Sequence, residues 1–208
     1  MRQFEDEFLI PKNFFYYRDV TVTMDSIRGS IIHCYRTLDM IDQHLTEQRV
    51  QKLSKLVELA NLSSIVGNLL GAGFAENSNG LYYRNRPHTY PDLVSTTANA
   101  PGIEIKTALR TNYPKGHQPK AGYYLTYRYC LTNEYGNLNV YNEEELDTVT
   151  IWEVRFGYLS SDCFSCSNTA GDSGKTAVIK TTALNSMPLL YLNRNCIPYK
   201  KYKGMYVQ

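Results

Sequence analysis

Tyr90-Pro91-Asp92, a spacer, and then Gly102-Ile103-Glu104-Ile105-Lys106-Thr107-Ala108-Leu109-Arg110: the reading of this stretch decides the reading of the chain. From 102 to 110 the residues alternate with the period of a strand that has one buried face. Successive side chains on a strand point to opposite faces, so Ile103, Ile105, Thr107 and Leu109 fall on one face. Glu104 and Lys106 then project together from the other, a carboxylate and an ammonium held side by side on a rigid element. Asp92 ends the preceding strand candidate, 81–90. Twelve positions separate it from Glu104, enough for a turn and a return that sets the two on neighbouring strands. Two adjacent carboxylates repel each other unless a hard cation lies between them, and the backbone carbonyl of Ile105 is a candidate third oxygen ligand. Without a cation, the same pattern is a turn proline beside a surface salt bridge.

Upstream, Ile27, Ile31, Tyr35, Leu38, Ile41 and Leu45 recur at helical steps and predict a helix over 25–45, with Asp25 or Ser26 as its cap. Val50, Leu53, Val57, Ala60, Ile65 and Leu69 predict a second helix over 47–70, closed by Gly71 and Gly73. Residues 1–22 read as irregular, and Ser78-Asn79-Gly80 as a turn. Downstream, 123–131 and 149–159 are strand candidates, and the acidic run at 143–145 is a solvated turn. Residues 160–175, rich in Ser, Asn, Asp and Gly, read as a loop, and 176–187 fit helix or strand equally before Pro188. No repeat or low-complexity linker divides the chain. The expectation is one α/β (mixed α+β) domain over 1–208, with 1–75 mostly helical, then a mixed central sheet with flanking helices and loops over 80–208.

The 208 residues carry a net charge of +2, too weak a bias to indicate nucleic acid by itself, so a nucleic-acid surface has to be local. Tyrosine is over-used, with 18 copies against seven Phe and one Trp, and its polar tip suits wet interfaces. The cysteines are Cys34, Cys130, Cys163, Cys166 and Cys196. Cys163 and Cys166 form one C-x-x-C without a second pair, against the four ligands of a structural zinc site. The start of the chain is charged and lacks an apolar run, so the expectation is a cytoplasmic protein with reduced thiols and no membrane span.

Pro91-Asp92 followed by Glu104-Ile105-Lys106 resembles the signature of the PD-(D/E)XK nuclease superfamily, over about 16 residues. The resemblance implies a restriction-endonuclease-like fold and a Mg²⁺-dependent hydrolysis of phosphodiester bonds in double-stranded DNA. A type II restriction enzyme acting as a homodimer is the most specific form of that expectation. One or two Mg²⁺ would lie on Asp92, Glu104 and the Ile105 carbonyl, with Lys106 orienting water or steadying the developing oxyanion. In that superfamily a helix Glu often joins the site, and Glu58 is the candidate, with Glu76 as the alternative. A repair or nicking nuclease of the same fold, and a non-catalytic DNA- or protein-binding domain, stand as rivals.

The phosphate-binding rim expected around the site consists of Arg84, Arg86, Arg110, Lys115 and Lys120. His117 and Gln118, in the loop that leaves the active strand, are candidates for reading a base edge. Asn168, Ser173, Lys175 and Thr176 offer further donors to DNA from the polar loop. That loop contains Gly171-Asp172-Ser173-Gly174-Lys175-Thr176, but position 169 is Thr where a P-loop needs Gly, so no nucleotide cofactor is expected. Its Gly-Asp-Ser-Gly lacks the His and Asp motifs of a trypsin-like site. His33 and His44 read as structural, and Lys200-Lys201-Tyr202-Lys203 as a tail against the DNA backbone.

Overall fold

The computed structural model describes residues 2–14, 16–17, 20–138, 143–167 and 176–198. Residues 1–22, expected to be irregular, hold two 3-10 turns (Asp6–Phe8 and Pro11–Asn13) and then two short strands, β1 (Tyr16–Tyr17) and β2 (Val20–Thr21), paired antiparallel. Helix α1 (Met24–Glu47) follows. Its cap is Thr23, not the expected Asp25 or Ser26: Thr23 Oγ1 accepts from the Ser26 amide at 3.0 Å, and Ser26 Oγ accepts from the Thr23 amide at 3.1 Å. That reciprocal pair satisfies two donors a helix start leaves open.

The second predicted helix is divided into α2 (Leu53–Leu56) and α3 (Leu59–Glu76), with Val57 and Glu58 extended between them. Asp42 of α1 fixes the start of α2 by accepting from the Leu53 amide at 2.8 Å. Gly71 and Gly73 do not end α3; they lie inside it. A β-carbon on Gly73 would stand 2.5 Å from His33 Cβ and 2.9 Å from the Gly29 carbonyl oxygen, so the glycine is there for the close approach of α1. Residues at four-step intervals, Leu62, Val66, Leu70 and Phe74, are fully buried against Ile27, Ile31, Cys34, Tyr35 and Leu38 of α1 and against the sheet.

The sheet strands follow as β3 (Tyr82–Arg84), β4 (Leu93–Ser95), β5 (Ile103–Leu109), β6 (Lys115–Gly116), β7 (Gly122–Thr132), β8 (Thr148–Leu159), β9 (Phe164–Ser167), β10 (Thr176–Ile179) and β11 (Leu189–Leu192), with helix α4 (Thr181–Ser186) before the last. Six of them form a mixed sheet in the order β11-β8-β7-β5-β4-β3. Only β5 and β7 run parallel in it. A parallel pair needs a crossover connection, and residues 110–121 supply it, carrying β6 across the sheet face on the way. β6, β10 and β9 make a second, three-stranded antiparallel sheet.

Two expectations change at the edges. The strand expected over 81–90 stops at Arg84: after a last cross-strand bond from the Asn85 amide to the Asp92 carbonyl at 2.9 Å the chain turns, with the Thr89 amide on the Arg86 carbonyl at 3.2 Å. The ambiguous 176–187 segment is both things in turn, strand β10 and then helix α4. Within 160–175 the described part holds a short 3-10 turn (Ser161–Cys163) and β9; 168–175 lies outside the described residues.

Helices α1 and α3 cover one face of the large sheet. Thr107 Oγ1 donates to the Ser63 carbonyl at 2.9 Å, and Gly71 stands over Ile105, so α3 lies on the Ile103–Ile105–Thr107 face of β5. Tyrosines from β7 cross that layer and end on hydroxyls: Tyr127 on Ser30 at 2.9 Å, Tyr129 on Ser63 at 2.7 Å. Each of these two rings is buried while its hydroxyl keeps a partner. The opposite face is covered by the small sheet and α4, through Tyr124, Leu159, Phe164, Ala177, Ile179, Leu184 and Met187. The result is a single mixed α/β domain. Among the described residues no helix is long and apolar enough to cross a membrane.

Candidate active site

Glu104 and Lys106 project from β5 away from α3, into a cleft of about 240 Å³ between the large sheet and the small one. Asp92 reaches the same cleft from the residue before β4. Its Oδ2 accepts from the Ile105 amide at 2.8 Å, so the side chain takes the place of a ladder partner on the edge of β5. The Asp92 amide in turn donates to Glu104 Oε2 at 3.2 Å. Gly102 lets the two segments meet: a β-carbon there would collide with the Leu93 carbonyl and the Pro91 ring.

Lys106 Nζ lies 2.5 Å from Glu104 Oε1. Glu104 is only 8% exposed. Burial raises its pKa; the Lys106 ammonium opposes that rise, and the Asp92 carboxylate adds to it. A buried carboxylate and a half-buried one thus face each other with one bonded ammonium, an arrangement a cation would relieve. The Ile105 carbonyl belongs to the same strand edge as its amide, because both main-chain groups of a strand residue point to one side. The donor set, two carboxylates and a carbonyl, is hard oxygen, and it fits Mg²⁺, which keeps several waters and takes few protein ligands. No group of three or more His, Cys, Asp or Glu side chains gathers at one point among the described residues.

Of the expected DNA contacts, Lys115, His117, Gln118 and Lys120 line this cleft. Arg84 does not: its guanidinium donates to Asn68 of α3 at 2.9 Å, on the other side of the sheet. Arg86 is exposed on the 85–91 turn and lies outside the lining. Arg110 follows the far end of β5, about 20 Å from Glu104 by strand rise, where its amide donates to the Tyr129 carbonyl and its carbonyl accepts from Trp152 Nε1. Thr176 opens β10 opposite Ser167 and also lies outside the lining. Asn168, Ser173, Lys175 and the 200–203 tail lie outside the described residues.

Neither candidate helix Glu reaches the carboxylates. Glu58 is exposed at the start of α3, at the Thr107–Leu109 end of β5 and on its opposite face. Glu76 pairs with His33 of α1 at 3.0 Å.

The cleft also recruits residues that the spacing argument passed over. His88 and Thr89 come from the 85–91 turn, with His88 in the left-handed region at φ 64°, and Tyr90, Tyr124, Phe164 and Ile179 add an apolar wall. Tyr124 pairs with Glu104 in the parallel register and so shares that side chain's face, a register that the sequence alone does not carry. Burial raises the Tyr90 and Tyr124 hydroxyl pKa values. A buried ionic group further along the same face was also missed. Arg128 holds Glu153 with two hydrogen bonds at 2.6 and 2.7 Å, Arg155 adds a contact at 3.0 Å, and the Arg128 guanidinium lies 4.2 Å over the Trp152 ring.

No protein-family model matches the chain, and no curated protein matches it at a significant level.

Proposed function

We propose that this domain is a metal-dependent endonuclease that hydrolyses phosphodiester bonds of double-stranded DNA, in the manner of the PD-(D/E)XK enzymes its signature resembles. The observation that carries the reading is the meeting of Asp92, Glu104 and Lys106 in one cleft, with Asp92 bonded to the backbone amide between the other two. Asp92, Glu104 and the Ile105 carbonyl would hold one or two Mg²⁺. When bound, such an ion lowers the pKa of a coordinated water and neutralises charge on the phosphate. Lys106 directs its ammonium at the same point, where it orients the attacking water and stabilises charge building on a non-bridging oxygen. Lys115 and His117 line the cleft from β6 and the residue after it, within reach of the substrate backbone.

A sequence-specific type II restriction enzyme, cytoplasmic and working as a homodimer, is the most specific form of the proposal, since two-fold symmetry would present one cleft to each strand of a palindrome. The test is incubation of supercoiled plasmid with the purified chain and Mg²⁺. Linear products with uniform ends support the restriction reading. Nicked circles alone would replace it with a repair or nicking enzyme. DNA bound in Mg²⁺ without any cleavage would leave a non-catalytic binding domain.

A further inference from the structure

The cleft holds three lysines against two carboxylates. Lys106 is taken up by Glu104. Lys120 has no ion-pair partner among the described residues; it is exposed at the rim of the cleft, with its backbone fixed by two hydrogen bonds and its side chain by one contact. Its amide donates to the Gln118 carbonyl at 3.1 Å, its carbonyl accepts from the Tyr124 hydroxyl at 2.7 Å, and its ammonium lies 4.5 Å over the ring of Tyr90. The Tyr90 ring is itself tied down, its hydroxyl donating to the Ala121 carbonyl at 3.1 Å. A lysine that served only solubility would extend into water, where its rotamer freedom is greatest. Ordering this side chain costs entropy, and a cation fixed over an aromatic face is a preorganised anion site.

The position of the pair says which anion. Tyr90 is two residues from Asp92, and Tyr124 is in register with Glu104 on the adjacent strand, about 4.8 Å away. Lys120 therefore stands next to the carboxylate pair but does not touch it. We propose that Lys120, positioned by Tyr90, binds the backbone phosphate adjacent to the scissile one on the same DNA strand. This rests on the nuclease reading and adds a second phosphate subsite to it. Tyr90 acts through Lys120 and is a positioning residue.

The test uses the full chain and a duplex centred on the cut site mapped from plasmid digests, in Ca²⁺, read as binding affinity. Lys120→Met is expected to weaken binding roughly tenfold, the loss of one charge-assisted contact, and to reduce the salt slope by ~0.9. Replacing one phosphate flanking the cut by an uncharged methylphosphonate should reproduce the loss in the unmodified protein and add nothing in Lys120→Met. Tyr90→Phe keeps the ring but loses its tie to the Ala121 carbonyl, so it should weaken binding less than Tyr90→Leu does. Tyr90→Leu should weaken binding alone and have no further effect in Lys120→Met, an outcome that a merely structural tyrosine would not produce. Additive losses at both flanking phosphates, or an unchanged salt slope, overturn the lysine assignment while the nuclease reading stands. Absence of Mg²⁺-dependent cutting in the digests removes both.

Discussion

A β-carbon placed on Gly116 would stand 3.2 Å from Cε and 3.6 Å from Nζ of Lys106. Strand β6 thus passes over the lysine stem at a distance that glycine at 116 leaves open and a β-carbon would tighten. Gly116→Ala is expected to leave the fold intact, since only the end of one side chain has to shift. The shift, however, displaces the ammonium from its place against Glu104. Misplacement of a reacting group by about 1 Å costs up to ~100-fold in rate. The shift asked for here is a fraction of that, so cleavage should fall by roughly three- to tenfold with an unchanged thermal midpoint. A variant with normal turnover would show that Lys106 is not set by β6.

Asp92 has two separable jobs, accepting from the Ile105 amide and presenting a negative charge. Asp92→Asn retains an acceptor and removes the charge, while Asp92→Ala removes both. Each should abolish Mg²⁺-dependent cleavage. Only the alanine variant should also lose stability, by roughly 1 kcal/mol for one hydrogen bond. Cleavage by Asp92→Asn at more than a few per cent of the unmodified rate would rule out a metal-ligand role.

The Arg128–Glu153 pair is fully buried, with side chains 2% and 0% exposed. Removing one partner leaves a dehydrated charge, which typically costs about 3–5 kcal/mol. Glu153→Ala should therefore lower the urea midpoint by far more than a surface substitution such as Glu145→Ala, without direct involvement in the cleft. Equal midpoints for the two variants would mean that the network is reached by water.

Cys34 on α1 is completely buried, and burial pushes its thiol up to about 12. An unfolded cysteine ionises near ~8.5. The unfolded chain therefore gains free energy by losing this proton while the folded protein keeps it. The contribution to stability is fully present below about pH 8.5 and is lost as pH rises toward about 12. Between about pH 8 and 10 the unmodified protein should lose stability more steeply than Cys34→Ala, measured by urea unfolding at each pH. Parallel slopes would contradict the burial effect.

Part of this molecule was legible residue by residue. Alternation over 102–110 set Glu104 and Lys106 on one face because a strand side chain has only two directions to choose from. The Pro-Asp spacing brought Asp92 alongside, since the intervening length permits a turn and a return. Helical periodicity located α1 within two residues at either end, and the strands β5, β7 and β8 likewise, because each has a continuous apolar stripe.

What only the tertiary structure decided concerns residues whose local preference is weak or whose partner is distant. Gly71 and Gly73 carry a stop signal in the sequence, but α1 packs so closely that glycine is the residue a continuing helix needs there. Arg84, on a strand edge close to Asp92 in sequence, turns to Asn68 on the other side of the sheet, and Glu58 ends up on the wrong face of β5. The 110–121 crossover returns the chain over its own strand and so delivers Lys115, His117 and Lys120 to the cleft. The physical reason is one of range. Periodicity reports which face of an element is dry, whereas the identity of what covers that face is set by chain connectivity and close packing between segments far apart in sequence.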